Sequence, residues 1–152
     1  MKVHQLKRTQ LLPISLEKAW DFFSNPNNLA KITPADMGFV TITDLKDEPI
    51  KEGMLIEYRV KPLFSIPVKW ITKIGKVVNG YSFVDNQLKG PYRVWEHTHI
   101  FEKAEGGVLM TDIVNYALPL GILGDIAHAV LVKKKLSDIF DYRKETISKF
   151  FG

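Results

Sequence analysis

Between Phe39 and Leu118 the chain alternates apolar and polar residues in runs separated by short turns, and this pattern limits the possible folds more than any other feature. Candidate strands span about Val40 to Leu45, Met54 to Lys61, Val68 to Val78, Tyr81 to Leu88, Tyr92 to Ala104 and Val108 to Leu118. Turn residues mark the breaks: Asp47, Pro49 and Gly53, then Asn79-Gly80, Lys89-Gly90-Pro91 and Glu105-Gly106. A parallel pair needs a crossover of about a dozen residues or more, which these gaps cannot hold, so the strands form an antiparallel meander. Pro62 and Pro67 flank Leu63 to Ile66, which reads as a loop at the sheet rim.

Helical patterns lie on either side of the meander. Val3 to Leu12 reads as a first strand ended by Pro13. Ser15 is a suitable N-cap for a helix whose Leu16, Ala19, Trp20 and Phe23 share one face, and Glu17 suits its positive end. Asn25-Pro26-Asn27-Asn28 breaks that helix, and Leu29, Ile32 and Thr33-Pro34 predict a second short helical turn. After Pro119 the period becomes 3.6. Ile126, Val130, Leu136, Ile139, Phe140, Ile147 and Phe150 can share a stripe on a helix starting near Asp125. Only this helix is long enough to cover the apolar face of the sheet. The expected fold is α+β and occupies residues 1–152 as one domain. A curved antiparallel sheet of about six to seven strands, with two short helices after strand 1, wraps a long C-terminal helix. Such a wrap leaves space between its layers, a natural ligand site.

Several chemistries are excluded. The chain has no cysteine, hence no disulfide, thiolate zinc site or thiol nucleophile, and no serine sits in a Gly-x-Ser-x-Gly turn. Gly106-Gly107 is a hairpin rather than a phosphate loop, since no helix follows it. Lys2, His4, Lys7 and Arg8 interrupt the N-terminus, so no signal peptide is expected, and no apolar run approaches the roughly 18 residues of a membrane span. A cytoplasmic protein without stable membrane insertion is therefore expected. The net charge is +4, but the one basic run, Lys133 to Lys135, is followed by Asp138, Asp141 and Glu145 and reads as a solvated helix turn. No nucleic-acid partner is expected.

His97 and His99 alternate onto one strand face with Arg93, Trp95 and Phe101. With Glu105-Gly106 as the hairpin centre, counting back pairs Phe101 with Met110, His99 with Asp112, His97 with Val114 and Trp95 with Tyr116. An imidazole opposite a carboxylate can orient or protonate a ligand, which makes His99 and Asp112 the catalytic candidates, with His97, Asp85 and Gln87 in the same polar patch. Cavity-lining candidates are Met54, Ile56, Tyr58, Trp70, Phe83, Trp95, Phe101, Met110, Val114 and Tyr116, closed by Ile139 and Phe140. Tyr142 and Arg143 could reach the mouth, although Arg143 reads as solvated. Two histidines with one or two carboxylates could bind zinc or iron. Because histidines at i and i+2 on strands are common without metal, neither metal nor cofactor is expected.

The strings Pro13 to Trp20, Phe22-Phe23, Asn25-Pro26, Phe83-Val84-Asp85-Asn86-Gln87, Gly90-Pro91-Tyr92, Trp95 to Phe101, Asp112 to Tyr116, Leu118-Pro119-Leu120-Gly121 and Ile139 to Arg143 together resemble the SRPBCC superfamily. That superfamily includes START lipid-transfer domains and polyketide cyclase-like proteins, and the second half looks closest to one bacterial subgroup. The resemblance covers nearly the whole chain and implies a helix-grip fold with a hydrophobic cavity. It implies binding or transport of a small hydrophobic molecule such as a lipid, polyketide or isoprenoid. A cofactor-independent cyclase or dehydratase, or a protein-interaction module, are the alternatives, and the oligomeric state stays open.

Overall fold

The computed structural model describes residues 2–62 and 66–151. Among them seven strands form one curved antiparallel sheet: β1 (His4–Leu12), β2 (Val40–Thr41), β3 (Leu55–Val60), β4 (Val68–Val78), β5 (Ser82–Lys89), β6 (Val94–Ala104) and β7 (Gly107–Ala117). Their order is β1-β7-β6-β5-β4-β3-β2, so every consecutive pair from β2 onward is adjacent and β1 returns to pair with β7. The loop expected from Leu63 to Ile66 lies mostly outside the described residues.

The β6–β7 hairpin closes on Ala104 and Gly107, and the four pairs counted from the sequence hold: Phe101 with Met110, His99 with Asp112, His97 with Val114, Trp95 with Tyr116. Gly107 is indispensable here. Its φ is +147°, and a Cβ would overlap the carbonyl oxygen of Leu12 where β1 runs into Pro13. After β1, Ser15 Oγ accepts the Lys18 amide at 3.1 Å and starts helix α1 (Leu16–Phe23), whose buried Ala19 packs onto the sheet. Two 3₁₀ turns follow, Pro26–Ile32 and Ala35–Met37.

Two segments depart from the sequence expectation. Val40 to Leu45 pairs only over β2. Beyond it the Ile42 and Thr43 amides share the Glu57 carbonyl, and Lys46 and Asp47, with φ of 49° and 59°, turn the chain so that Leu45 enters the core. The C-terminal helix starts at Ile122 rather than Asp125 and is interrupted: α2 (Ile122–Ala127), a π turn at His128–Val132, then α3 (Lys133–Phe151). A π turn holds more residues than an α turn and shifts the phase of the stripe. Ile126 and Val130 therefore point outward, at 56% and 68% exposure, while Val132, Leu136, Phe140 and Ile147 are buried. Phe150 is half exposed at the helix end and meets Phe22 at 5.7 Å between ring centroids. His128 anchors the π turn, bonded to the Tyr116 hydroxyl at 2.7 Å and stacked on His4 at 3.4 Å. Among the described residues no helix is long and apolar enough to cross a membrane.

Gly107 and Gly80 offer a contrast, because Gly80 has φ +76° but open space around its Cβ position. Gly80→Ala should cost about 1 kcal/mol for the left-handed backbone alone. Gly107→Ala adds the collision with Leu12 and should cost about 3 kcal/mol or more by urea denaturation. Equal losses would refute the close approach of β1 to the hairpin.

Candidate functional site

Alternation along β6 carries His97 and His99 to the inner face, and cross-strand pairing supplies their carboxylates. Asp85 on β5 stands opposite His97, and Asp112 on β7 stands opposite His99. Arg143 comes from α3. The sequence reading leaves it on the solvated face, yet it is only 7% exposed. Its spacing from Phe140 and Ile147 puts it on the buried stripe, which was the available signal. Its guanidinium lies 3.5 Å from Asp112 Oδ1 and packs over the rings of Phe23 and Phe140 at 5.9 and 5.7 Å.

The short contacts run diagonally. His97 Nε2 lies 2.8 Å from Asp112 Oδ1, and His99 Nε2 lies 2.7 Å from Asp85 Oδ2. The longer contacts complete a crossed square, His97 Nδ1 to Asp85 Oδ2 at 3.8 Å and His99 Nδ1 to Asp112 Oδ1 at 3.4 Å. Asp112 is thus bonded to His97 rather than to its direct cross-strand partner His99. The two imidazoles stack at 3.7 Å, and Phe83 stacks on the other side of His99 at 4.1 Å. These stacks hold both rings in place.

Electrostatics follow from this enclosure. Burial raises the Asp112 carboxyl, but the Arg143 guanidinium and the His97 hydrogen bond outweigh it and hold the group well below the usual carboxylate range. Burial likewise opposes ionisation of Asp85 and is outweighed by the His99 bond and the neighbouring positive charges, so its pKa is also lowered. Burial, reinforced by His97, pushes the His99 imidazole down to about 4 against the pull of Asp85, which leaves it neutral at pH 7. Burial, with Asp85 nearby, raises the Tyr58 hydroxyl, which stays protonated.

Above this cluster, between the sheet and the α2 to α3 segment, lies a cavity of about 370 Å³. Tyr58, Trp70, Trp95, Ile139 and Phe140 line it as side chains already singled out from sequence, and Asp85, His97 and His99 form its polar wall. Ile56 and Phe83 instead border an adjoining space of about 70 Å³ that also reaches Asp85 and His99. Asp112 and Met110 face a recess of about 90 Å³ on the far side of the cluster, with Arg8 and Asp141. Met54 packs against the core cluster that contains buried Phe101, and Val114 and Tyr116 sit in a second core cluster; none of these four lines any of the three cavities. Gln87 is also outside them, because its amide donates to the Tyr92 carbonyl at 2.6 Å and accepts the Tyr92 amide at 3.0 Å. That pair of hydrogen bonds holds Tyr92 at the cavity, where turn chemistry alone did not point. Leu136 is a further lining residue not named as one from sequence, and Arg143, raised there only for the mouth and read as solvated, lines the cavity as well.

Two outcomes follow for stability. Arg143→Ala leaves Asp112 buried without its cation and should cost about 3 kcal/mol in urea denaturation. The second concerns pH. Free histidine titrates near 6.5, so between that value and about 4 the unfolded chain binds a proton that folded His99 does not. Stability is full above about pH 6.5 and falls as pH drops toward 4, by about 3 kcal/mol from His99. The depressed Asp85 and Asp112 add to the loss below about pH 4. His99→Gln should flatten the slope between pH 4.5 and 6.5; an unchanged slope would remove His99 as its source.

No protein-family model matches the chain, and no curated protein matches it by sequence. Solved structures do match. Protein Ms6760 from Mycobacterium smegmatis is 14% identical with a TM-score of 0.66, the alignment covering 99% of this chain and 98% of that one. The KanY protein is 12% identical with a TM-score of 0.73 over 99% of both chains. Ara h 8.0201 is 14% identical with a TM-score of 0.61, over 97% of this chain and 99% of that one. At these identities the likeness carries the fold alone, and it establishes a helix-grip architecture for this chain.

Proposed function

We propose that this protein binds a small, largely apolar molecule bearing one polar end, of the lipid, polyketide or isoprenoid type. The observation that carries this reading is the cavity of about 370 Å³, within the usual size of small-molecule sites, whose apolar wall faces a single cluster of buried ionisable groups. Trp70, Tyr92, Trp95 and Leu136 offer surface to the apolar body. Asp85, His97 and His99 offer acceptors and donors to the polar end. Pro62, Pro91 and the largely exposed Leu120 also line it. The neutral His99 accepts or donates a hydrogen bond there without the cost of a second buried positive charge.

Binding should be read from Trp70 and Trp95, whose indoles line the cavity. Titration with the neutral apolar dye N-phenyl-1-naphthylamine should quench tryptophan emission in a saturable way, and a long-chain alcohol should displace it. Ala127→Phe places a ring in the same space and should weaken the dye at least tenfold with little change in thermal stability. Unaltered affinity in this variant would place the dye elsewhere and overturn the reading.

A further inference from the structure

The sequence expectation is that no metal binds among the paired histidines. The side-chain geometry points the other way. We propose that Asp85, His97 and His99 form a site for one first-row divalent cation, and that Asp112 is the outer carboxylate that orients both imidazoles. One ligand atom from each of Asp85, His97 and His99 lies within 4.8 Å of the others. Zinc–nitrogen and zinc–oxygen bonds of about 2.0–2.2 Å require ligand atoms about 3–3.5 Å apart, so shifts of about an ångström close the set on an ion.

The crossed square assigns the nitrogens. His97 Nδ1 and His99 Nε2 both face Asp85 Oδ2, at 3.8 and 2.7 Å. Their other nitrogens, His97 Nε2 and His99 Nδ1, both face Asp112 Oδ1, at 2.8 and 3.4 Å. A cation beside Asp85 takes the first pair of lone pairs, and each imidazole then donates its outer N–H to the same Asp112 oxygen. Metal-bound histidines donate their other ring N–H to a carboxylate, backbone carbonyl or water, which fixes their tautomer, and Asp112 is placed to be that acceptor. The buried His99 Nδ1 makes no hydrogen bond but lies 3.4 Å from Asp112 Oδ1, so a small turn of the ring about an ion at Nε2 would let its N–H reach that oxygen. Position agrees as well: the three ligands line the large cavity, whereas Asp112 lies behind them on the far recess. Arg143 stands 3.5 Å from Asp112 and, having only donors, cannot ligate.

Charge narrows what the cavity molecule presents. Ligation requires neutral imidazoles, so Asp85, Asp112 and Arg143 sum to −1, and a divalent cation brings the buried set to +1. One anionic oxygen at the open coordination position brings it to zero, which a low-dielectric site favours. The polar end of the ligand is thus a carboxylate, phenolate or enolate. This last step rests on the cavity being a binding site; the cation site rests on side-chain geometry alone. Two imidazoles and one carboxylate suit Zn²⁺, Fe²⁺ or Mn²⁺ over Mg²⁺ and Ca²⁺, and Zn²⁺ binds tightest of these three.

Chelator-treated full-length protein should be titrated with Zn²⁺ by calorimetry and by nitrogen-15 NMR of the imidazoles. One equivalent should bind, millimolar Mg²⁺ should not compete, and the resonances of His97 and His99 should move while those of His4 and His128 stay. Asp85→Asn should weaken Zn²⁺ at least tenfold, and Asp112→Asn by about ten- to a hundredfold. Absence of stoichiometric binding, equal affinity in Asp85→Asn, or shifts confined to His4 and His128 would overturn the site. The NMR readout on the unaltered chain decides the matter even if a variant fails to fold. Zinc binding by a protein that binds no apolar dye would leave this site standing and remove the cavity reading; the reverse result would remove this site alone.

Discussion

The register of β6 on β7 is the constraint on which the rest of the structure depends. A two-residue turn at Glu105 and Gly106 sets it, and Gly107 locks it by letting the Leu12 backbone close over the hairpin. Side chains alternate along a strand, so a slip of one residue would turn His97 and His99 to the outer face and leave Asp112 among apolar neighbours. A second register, of β5 on β6, places Asp85 beside His97, and alternation along β7 sets Met110 and Val114 on either side of Asp112 on its inner face. A turn at the sheet end thus decides the chemistry near its middle.

The ionisable cluster lies between two apolar cores. One gathers Leu12, Ala19, Ile56, Phe101 and Ile147 under α1; the other gathers Val114, Tyr116, Val132, Leu136 and Phe140 under the π turn and α3. Burying two carboxylates and a guanidinium is unfavourable by several kcal/mol per ion, and the attraction between them only partly offsets that. The cores on both sides supply the net stability. The cluster supplies position, because each of its members is held by at least one partner from another element.

Legibility in the sequence followed how local each determinant is. The meander and the hairpin pairs could be read because alternation and turn residues are local signals. The Asp85 to His99 bond could not be counted from the Lys89-Gly90-Pro91 turn, since β5 and β6 pair only from Asn86 and Glu96 inward and a longer irregular connection separates them. The π turn is set by His128 meeting Tyr116 and His4, both outside the helix and His4 from the first strand, so the 3.6-residue pattern alone misplaces Ile126 and Val130. Arg143 could have been placed on the buried stripe by spacing. Its charge argued for solvent, and only the distant Asp112 reverses that preference.

The cavity stays open for reasons found on its walls. Trp70, Tyr92 and Trp95 pack edge-on or tilted against one another, at 4.8 to 5.7 Å between centroids, so their bulk is spent in the wall rather than in the space before it. On the facing side Gly124 has no Cβ and packs against the Pro119 carbonyl, which keeps the start of α2 close to the chain that leads into it. Collapse onto the remaining space would press Leu136 or Phe140 toward Asp85, a carboxylate held ionised. Covering that charge with hydrocarbon would cost several kcal/mol, more than the apolar contact returns. A hydrogen-bond donor or a bound cation beside Asp85 escapes this conflict, and so the charged floor both keeps the space from closing and selects what enters it.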